Sequence, residues 1–366
     1  MVTNDFPPRR GGIESFVVSL CERLPQDQVV VYTASMPGDH AVDASLSFPV
    51  YRDRSSTLLP TPVVTRRVAD AMRRHACDRV VFGASAPLGL LAPALRRAGA
   101  ERLVALTHGH EVWWARVPLA RRLLRQIGDS VDVMTCVSQW CRTQIGPALS
   151  SEASARMRRL SPGVDTGLFF PGCGGAHART RLGVPDCAPL VVCVARMIRR
   201  KGQDVLVRAW PSVLTERPEA QLLLVGDGPA KRVVQRLARR LGVAGSVLFA
   251  GSVPWREVPA LIDAGDVFAM PCRTRLLGLE PEAFGIVLLE AQACGLPVVA
   301  GDSGGAPEAV LDRGGVVVGP RSPDQVARAV LSALERGRRP ADEVRAVMAE
   351  HSWDRVAGEL GEMLRL

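Results

Sequence analysis

The feature that most constrains the fold of this chain is an alternation of short β-branched runs with longer amphipathic stretches, repeated in both halves. The runs that predict strands are 29–34, 80–83, 102–109 and 131–138 in the first half, and 189–196, 221–226, 246–251, 266–271, 297–301 and 315–318 in the second. The stretches that predict helices are 13–24, 62–74, 87–98, 202–214, 230–241, 256–264, 286–294 and 323–336. This alternation is typical of parallel sheets whose strands are connected by crossover helices.

A segment rich in glycine and proline, residues 161–175, divides the two halves. No periodic pattern continues across it, which is typical of a domain boundary. We therefore predict an α/β protein with two doubly wound, Rossmann-like domains. Ligands of such sheets bind beyond the carboxyl ends of the strands, so the site is expected in a deep cleft that both domains face. Only residues 1–4 precede the first loop, so we expect the first strand to be shortened, or the chain to have lost a few residues.

Composition narrows the function class. The chain is 47% hydrophobic and 23% charged, which is typical of a globular protein. It contains no apolar run long enough to span a membrane and no basic start leading into an apolar segment, so a cytosolic protein is expected. Its nine cysteines include no C-x-x-C pair, which favours buried thiols over metal or redox sites. The net charge of +9 favours anionic partners. The absence of zinc-finger and RNP motifs argues against nucleic acid.

A glycine pair follows the predicted first strand. Gly11 and Gly12 end the loop that begins near Asp5 and precede the helical run 13–24. Glycines at a helix N-terminus let backbone amides approach a phosphate, although a plain turn between strand and helix explains them equally well. The loop is neither a G-x-G-x-x-G nor a Walker sequence, which disfavours dinucleotide and ATP binding.

Two histidines, His108 and His110, lie at the carboxyl end of the predicted strand 102–109. A histidine at that position can hydrogen-bond a ligand hydroxyl or stabilise developing charge. The alternative is a histidine that is satisfied within its own loop. The sequence H-G-H-E lacks zinc-ligand spacing, so no metal is predicted here.

A cationic pair follows the first strand of the second half. Arg196 ends that strand and Lys201 opens the next helix, so the two can converge on one diphosphate. Lysine occurs at only two positions of the chain, which favours a specific use of Lys201. The neighbouring Arg199 and Arg200 are interpreted as a solvated basic turn, whereas Arg196, which directly follows a buried strand, is not.

The most informative block is residues 282–290. Glu282 precedes a helix that begins near Gly285, and the amides around Phe284 and Ile286 would face a ligand anion. Glu290 lies inside that apolar helix, where a carboxylate is costly unless it finds hydrogen-bond donors, such as ribose hydroxyls. A structural role for Glu290 alone stays open. Gly226 lies in a second loop between strand and helix, as a nucleotide-facing loop would.

Residues 112–126 combine two tryptophans with four arginines, at positions 113, 114, 116, 121, 122 and 125. Aromatic and basic residues on one amphipathic stretch favour an anionic membrane interface. A normal helix with its tryptophan and leucine face buried is the equally weighted alternative.

Taken together, the Gly-Gly loop, the strand-end histidine, the R-x4-K pair and the E-x7-E block resemble the large retaining glycosyltransferase family with the GT-B fold. The resemblance covers essentially the whole chain. The segments TNDFPPRRGGI, THGHEV, RKGQD, DVFAMPCRTR and GDSGGAPE are most similar to actinobacterial mannosyltransferases of the PimB type. Those enzymes transfer mannose from GDP-mannose to phosphatidylinositol monomannoside at the cytosolic face of the membrane.

The resemblance implies a role for each candidate residue. The implied donor-binding residues are Gly11, Gly12, Arg196, Lys201, Gly226, Glu282, Phe284, Gly285, Ile286 and Glu290. Within that set, Arg196 and Lys201 would hold the diphosphate, Glu282 the mannose, and Glu290 the ribose. The implied catalytic residues are Asp5, His108, Arg196, Lys201 and Glu282, and Asp5 and His110 would lie on the acceptor side.

The resemblance also implies domain roles and partners. Residues 1–165 would bind the acceptor, residues 166–349 the nucleotide sugar, and a terminal helix at 350–366 would cross back onto the first domain. The expected partners are GDP-mannose, a lipid or polyol-phosphate acceptor and an anionic membrane surface, with no cofactor and no metal because no D-x-D motif occurs. Two alternatives stay open: the same fold acting on a UDP-sugar and another acceptor, or an inactive protein that only binds a nucleotide sugar.

Overall fold

A computed structural model describes residues 1–9 and 11–365 of the chain, except for the side chain of Leu277. The described chain divides into two compact units. The first unit comprises Met1–Pro162 together with Trp353–Leu366, and the second comprises Gly163–Ser352. Leu366 itself lies outside the described residues.

The first unit is built on a seven-stranded parallel sheet with the strand order β3-β2-β1-β4-β5-β6-β7. Its strands are β1 (Val2–Thr3), β2 (Val31–Ala34), β3 (Val50–Asp53), β4 (Arg79–Phe82), β5 (Arg102–Ala105), β6 (Val133–Cys136) and β7 (Arg158–Arg159). Its first eight helices are α1 (Gly12–Arg23), α2 (Asp39–Asp43), α3 (Pro62–Arg74), α4 (Ala92–Arg97), α5 (Glu111–Arg116), α6 (Pro118–Ser130), α7 (Gln139–Ile145) and α8 (Ser151–Ala155). The short β1 still pairs with both β2 and β4, in the middle of the sheet.

The second unit contains a six-stranded parallel sheet with the order β10-β9-β8-β11-β12-β13. Its strands are β8 (Leu190–Val194), β9 (Gln221–Val225), β10 (Val247–Gly251), β11 (Val267–Met270), β12 (Val298–Gly301) and β13 (Gly315–Val318). Its helices are α9 (Gly175–Leu182), α10 (Gln203–Glu216), α11 (Lys231–Arg240), α12 (Val258–Asp263), α13 (Ile286–Ala293), α14 (Pro323–Arg336) and α15 (Ala341–Ala349). β8, β11 and β12 are buried almost throughout, as strands covered by helices on both faces must be.

The last helix, α16 (Trp353–Leu364), belongs to the first unit. Trp353 meets the ring of Phe16 edge to face, with centroids 5.3 Å apart. Arg79 and Arg102 donate hydrogen bonds of 2.9 and 2.8 Å to carbonyl oxygens near the end of α16. These contacts join the end of the chain to α1, β4 and β5.

The predicted fold class, two parallel-sheet Rossmann-like units, is confirmed. The predicted helices 62–74 and 323–336 match α3 and α14. β3 was not predicted because two of its four residues are charged: Arg52 is bound to Asp43, and Asp53 to Arg67. The predicted strand 102–109 ends at Ala105, since the chain beyond it turns into a loop that carries the two histidines.

Candidate active site

Two glycines shape the loops at the carboxyl ends of β8 and β9. Gly226 has φ +123° and Gly228 has φ +153°, and a Cβ on either would collide with the backbone that follows β8. The loops are joined by hydrogen bonds from the amide of Met197 to the carbonyl oxygen of Asp227 (2.8 Å) and from the amide of Ala230 to the carbonyl oxygen of Met197 (2.9 Å). Gly226 lies next to the loop that carries Arg196, and only glycine permits this close approach.

Arg196 is exposed, and it has no ion-pair partner among the described residues. Its carbonyl oxygen accepts a 3.2 Å hydrogen bond from the side chain of Gln203, which ties the loop to α10. The prediction that Arg196 is less solvated than Arg200 is wrong. Arg196 lies beyond the end of β8, where the chain has left the sheet, so its side chain is free to point into solvent.

Lys201 and Glu282 form the central contact of the second unit. The Lys201 Nζ lies 2.7 Å from Glu282 Oε2, and both side chains are largely buried. Arg200 lies 3.3 Å from the same carboxylate oxygen and donates to the carbonyl oxygen of Pro281 at 2.8 Å. Burial opposes ionisation of Glu282, but Lys201 and Arg200 outweigh it and hold the pKa of Glu282 below its ordinary value.

Arg200 is thus a site residue that sequence reasoning missed, since it was taken as part of a solvated turn. The only available signal was its place directly before Lys201. Arg273 supports this turn, because its amide donates to the carbonyl oxygen of Arg200 (2.7 Å) and its guanidinium binds both carboxylate oxygens of Asp204 at 2.9 Å.

The backbone around Glu282 is fixed by β12 and the loop that follows it. The amide of Glu282 donates to the hydroxyl of Ser303 at 3.2 Å, and its carbonyl oxygen accepts from the amide of Gly305 at 2.9 Å. Gly304 has φ +59°, and a Cβ there would collide with the same carbonyl oxygen. The position of the Glu282 carboxylate therefore depends on a loop that is close in space and distant in sequence.

The N-terminal end of α13 is open to a ligand. Gly285 precedes the helix in the left-handed conformation (φ 85°, ψ 60°), and Phe284 beside it is buried. The amides of Ile286 and Val287 have no acceptor in the described part of the chain, as expected of the first turn of a helix. Such amides, together with the helix dipole, favour an anion at this end of α13.

Glu290 lies one turn further along α13 and is 4% exposed. Its carboxylate has no hydrogen-bond partner within the described chain. Since no fully buried side-chain oxygen of the described residues lacks a partner, the carboxylate oxygens keep some contact with solvent. Burial alone raises the pKa of Glu290 to about 8. A buried carboxylate without a partner is unfavourable in the free protein, which is typical of a group that hydrogen-bonds a ligand.

In the first unit, Gly11 and Gly12 are exposed at the start of α1. Gly11 has an extended backbone, and a Cβ there would lie 2.4 Å from a carboxylate oxygen at the end of the Glu14 side chain. Burial is the main cause that raises the pKa of Glu14, and nearby Asp5 adds to it.

Asp5 is half-buried in the loop after β1. Its amide donates to the hydroxyl of Thr3 at 2.9 Å, and Arg9 approaches its carboxylate at 3.9 Å. The loop is anchored at its start, where Asn4 exchanges two hydrogen bonds with the backbone of Leu58, at 3.0 and 2.7 Å. These contacts hold Asp5 at the carboxyl edge of the first sheet.

His108 is a neutral histidine with one committed nitrogen. Its Nε2 lies 2.6 Å from the carbonyl oxygen of Gly83, and because a carbonyl can only accept, this nitrogen carries the proton. Desolvation is the main cause that lowers the pKa of His108. Phe16 meets the ring edge to face at a centroid distance of 5.0 Å. In the neutral ring, Nδ1 is therefore left as an acceptor, which is compatible with a hydrogen bond from a ligand hydroxyl.

Glu111 organises the histidine loop and was not predicted as a site residue. Its buried carboxylate accepts hydrogen bonds from the amides of His108 (3.0 Å) and Gly109 (3.1 Å) and from the hydroxyl of Ser85 (2.9 Å). His110 lies 3.3 Å from the same carboxylate. The H-G-H-E spacing contained this signal, because an acid three residues after a loop amide can cap it.

The aromatic and basic stretch folds as two helices, α5 and α6, that meet at Val117. Each helix buries an apolar face, which includes Val112 in α5 and Leu124 in α6. Trp113 nevertheless remains 45% exposed and Leu119 69% exposed. The arginines at 116, 121, 122 and 125 are exposed as well. The helices pack normally and also leave apolar and cationic side chains exposed, and these exposed residues are here called the α5–α6 surface. The membrane-interface interpretation stays a prediction.

None of the helices in the described residues is long and apolar enough to cross a bilayer.

Comparison with known proteins agrees with this geometry. Residues 10–168 match the family described as Glycosyltransferase Family 4, and residues 177–351 match Glycosyl transferases group 1. Among solved structures, Anabaena HepE in complex with UDP and glucose aligns over 100% of this chain and 98% of its own, with a TM-score of 0.81 and 21% identity. Sucrose-phosphate synthase from Thermosynechococcus elongatus aligns over 100% and 98%, with a TM-score of 0.79 and 22% identity. These likenesses establish the fold.

Curated relatives are more similar in sequence. A GDP-mannose-dependent alpha-(1-6)-phosphatidylinositol monomannoside mannosyltransferase from Mycobacterium tuberculosis is 44% identical over 100% of this chain and 97% of its own length. The Mycolicibacterium smegmatis protein of the same description is 46% identical over 80% and 77%. A Corynebacterium glutamicum mannosyltransferase described as acting on the monoacylated monomannoside is 40% identical over 100% and 97%. The chain therefore belongs to the family of GDP-mannose-dependent phosphatidylinositol monomannoside mannosyltransferases, within the glycosyl transferases of group 1.

Proposed function

We propose that this protein transfers a mannosyl residue from GDP-mannose to a phosphatidylinositol monomannoside-type lipid, with retention of the anomeric configuration. The observation that carries the proposal is the group of Lys201, Glu282 and the open end of α13, with the unpartnered carboxylate of Glu290 one turn away. Within one unit, the cations and the helix amides can bind the phosphates of a nucleotide sugar. The two carboxylates can bind its sugar and its ribose.

The diphosphate is assigned to Lys201, Arg196 and the first amides of α13. Arg196 is exposed and has no carboxylate partner within the described residues, so its guanidinium is available for phosphate oxygens. As the bond to the sugar breaks, negative charge develops on the leaving diphosphate. These donors stabilise that charge, which is the main catalytic contribution of the second unit.

The sugar and the ribose are assigned to the two carboxylates. Because the pKa of Glu282 is held low, its carboxylate is ionised and accepts hydrogen bonds from mannose hydroxyls. Glu290 loses its proton when a ribose diol supplies the two donors that the free protein lacks. Phe284, Gly285 and Ile286 contribute backbone contacts beside the sugar, and Gly226 lets the β9 loop approach the nucleotide.

The acceptor side is assigned to the first unit. His108 can accept a hydrogen bond at Nδ1 from a sugar hydroxyl near the reacting carbon, while Gly11 and Gly12 supply amides to the diphosphate. Asp5 and His110 line the acceptor side. With no side chain assigned as a covalent nucleophile, the acceptor hydroxyl attacks from the face that the diphosphate leaves. No metal and no cofactor besides the donor is part of this proposal, so chelation should leave transfer unchanged.

The α5–α6 surface supports a peripheral position at the inner face of the cell membrane. Its exposed tryptophan and leucine fit the headgroup region, and its arginines fit anionic lipids, each contributing about 1 kcal/mol near a charged surface. A lipid acceptor would then reach the first unit without leaving the bilayer.

The decisive test is transfer of labelled mannose to phosphatidylinositol monomannoside, with Lys201→Ala and Glu282→Ala compared with the wild type. Each substitution should lower kcat/KM at least a hundredfold, since each removes a buried charged contact. Arg217→Ala and Glu219→Ala, which replace exposed charges in the loop after α10, are the matched controls.

Three outcomes would contradict the proposal. Full activity of both site variants would remove the assigned donor site. Faster turnover with a UDP-sugar than with GDP-mannose would show another donor. Tight GDP-mannose binding without turnover on any lipid or polyol-phosphate acceptor would instead indicate an inactive binding protein.

A further inference from the structure

Two cysteines of the second unit lie side by side although they are far apart in sequence. Cys173 lies in the segment before α9, and Cys294 caps the C-terminal end of α13. The two thiols are close enough for each to affect the acidity of the other. A Cβ built on Gly295 would lie 3.4 Å from the ring of Pro171, so the segment that carries Cys173 packs directly on the end of α13.

One ion pair holds both cysteines in place. The carboxylate of Asp263 accepts hydrogen bonds from three glycine amides that flank Cys173, at 3.0, 3.2 and 2.7 Å. Arg338 binds the same carboxylate at 2.5 Å and donates to the carbonyl oxygen of Cys294 at 2.6 Å. Because both backbones are tied to one Asp263–Arg338 pair, the two cysteines are held close together.

The two thiols differ in access and in acidity. Cys173 is half-buried, whereas Cys294 is buried. The hydrogen bond from Cys294 is the main cause that lowers the pKa of Cys173, and the same hydrogen bond is the main cause that raises the pKa of Cys294. Cys173 is therefore the thiol that a peroxide can reach, and Cys294 is its buried neighbour. This is the arrangement of a reactive cysteine with a resolving cysteine.

We propose that Cys173 and Cys294 are an oxidative modification site, at which a hydroperoxide produces a reversible disulfide. The Cys173 thiolate attacks the peroxide oxygen, which gives a sulfenic acid and, after protonation of the leaving hydroxide, water. The Cys294 sulfur then displaces the sulfenic hydroxyl, which takes up the Cys294 proton and leaves as a second water. Two thiols and one hydrogen peroxide thus become one disulfide and two waters, and a thiol reductant restores the pair.

The disulfide would act on the helix that carries Glu290. The amide of Cys294 donates to the carbonyl oxygen of Glu290 at 3.1 Å, so the two residues share one helical turn. Disulfide formation shortens the contact between the sulfurs to about 2.05 Å and pulls on this turn. A site that hydrogen-bonds a ribose diol tolerates only displacements of about 0.5 Å, so oxidation should weaken donor binding. This consequence rests on the proposed function.

The experiment treats the full-length protein with hydrogen peroxide and maps its cysteines by mass spectrometry of peptides before and after dithiothreitol. We expect one cross-linked peptide pair containing Cys173 and Cys294, lighter by two hydrogens and released by the reductant. The thermal midpoint should rise on the order of 5 °C. The KM for GDP-mannose should rise several-fold and return on reduction.

Two variants complete the test. Cys173→Ser should abolish the cross-link, and because this residue is half-buried the protein should fold. Cys187→Ser, which removes the exposed cysteine, should leave the cross-link unchanged. Free thiols at both positions after Cys187 has been oxidised would overturn the proposal. If the reduced protein transfers no mannose, the proposed function fails, but the mapped disulfide still decides the modification site. An unchanged KM for GDP-mannose in the cross-linked protein would refute the proposed effect of the disulfide on Glu290.

Discussion

Replacement of Glu290 by glutamine should make the ligand-free protein more stable, and the gain should depend on pH. Glu290 has an ordinary pKa of 4.5 and a pKa of about 8 in the folded protein, raised by burial. Between these values the unfolded chain has lost the proton that the folded protein keeps. Stability associated with Glu290 is therefore present below pH 4.5 and is lost as the pH rises through 8. Glutamine does not titrate, so the Glu290→Gln variant does not lose this stability as the pH rises.

The magnitude follows from the same pKa. At about 1.4 kcal/mol for each pKa unit, the difference between 4.5 and about 8 corresponds to about 5 kcal/mol, which is an upper bound. The advantage of Glu290→Gln over the wild type should grow by up to this amount between pH 5 and pH 9. For a unit of this size, the thermal midpoint at pH 9 should rise on the order of 10 °C.

The assay is calorimetric unfolding of both proteins without ligand at pH 5, 7 and 9, with Glu219→Gln as the exposed control. In parallel, titration with GDP-mannose should show at least a tenfold loss of affinity in Glu290→Gln, because hydrogen bonds to a charged group are lost. A stability difference that is independent of pH would refute the burial argument. Unchanged donor affinity would refute the ribose assignment and leave Glu290 a structural residue.

Three further outcomes are expected. Glu111→Gln should lower kcat at least tenfold with little change in the KM for GDP-mannose, since it disturbs the amide of His108 rather than the donor site. A KM that rises by the same factor as kcat falls would contradict this. Trp113→Ala should weaken binding to vesicles of anionic lipid in a flotation assay, whereas Trp255→Ala, an equally exposed tryptophan of the second unit, should not. Gly226→Ala should destabilise the protein by at least about 2 kcal/mol in urea unfolding, because φ +123° and the adjacent backbone exclude a Cβ; an unchanged midpoint would disprove that close approach.

Local patterns were enough to predict the scaffold. Strands such as β8 and β12, covered by helices on both faces, appear in the sequence as continuous apolar runs, and amphipathic helices separate them. A carboxyl end of a parallel strand is also where ligand residues gather, and the loop after β8 could therefore be singled out, with Lys201 in it, from its position alone. These features depend on neighbours within one or two turns of chain, and the sequence by itself determines them.

Only the tertiary structure decided which side chains meet. Arg200, not Arg196, is the second cation at Glu282, because the turn after β8 directs one guanidinium inward and the other into solvent. The proton on Nε2 of His108 follows from a carbonyl at the end of another strand. The pairing of Cys173 with Cys294 depends on an ion pair contributed by two further segments. Such contacts join residues distant in sequence, and their burial and charge exist only once the chain has folded.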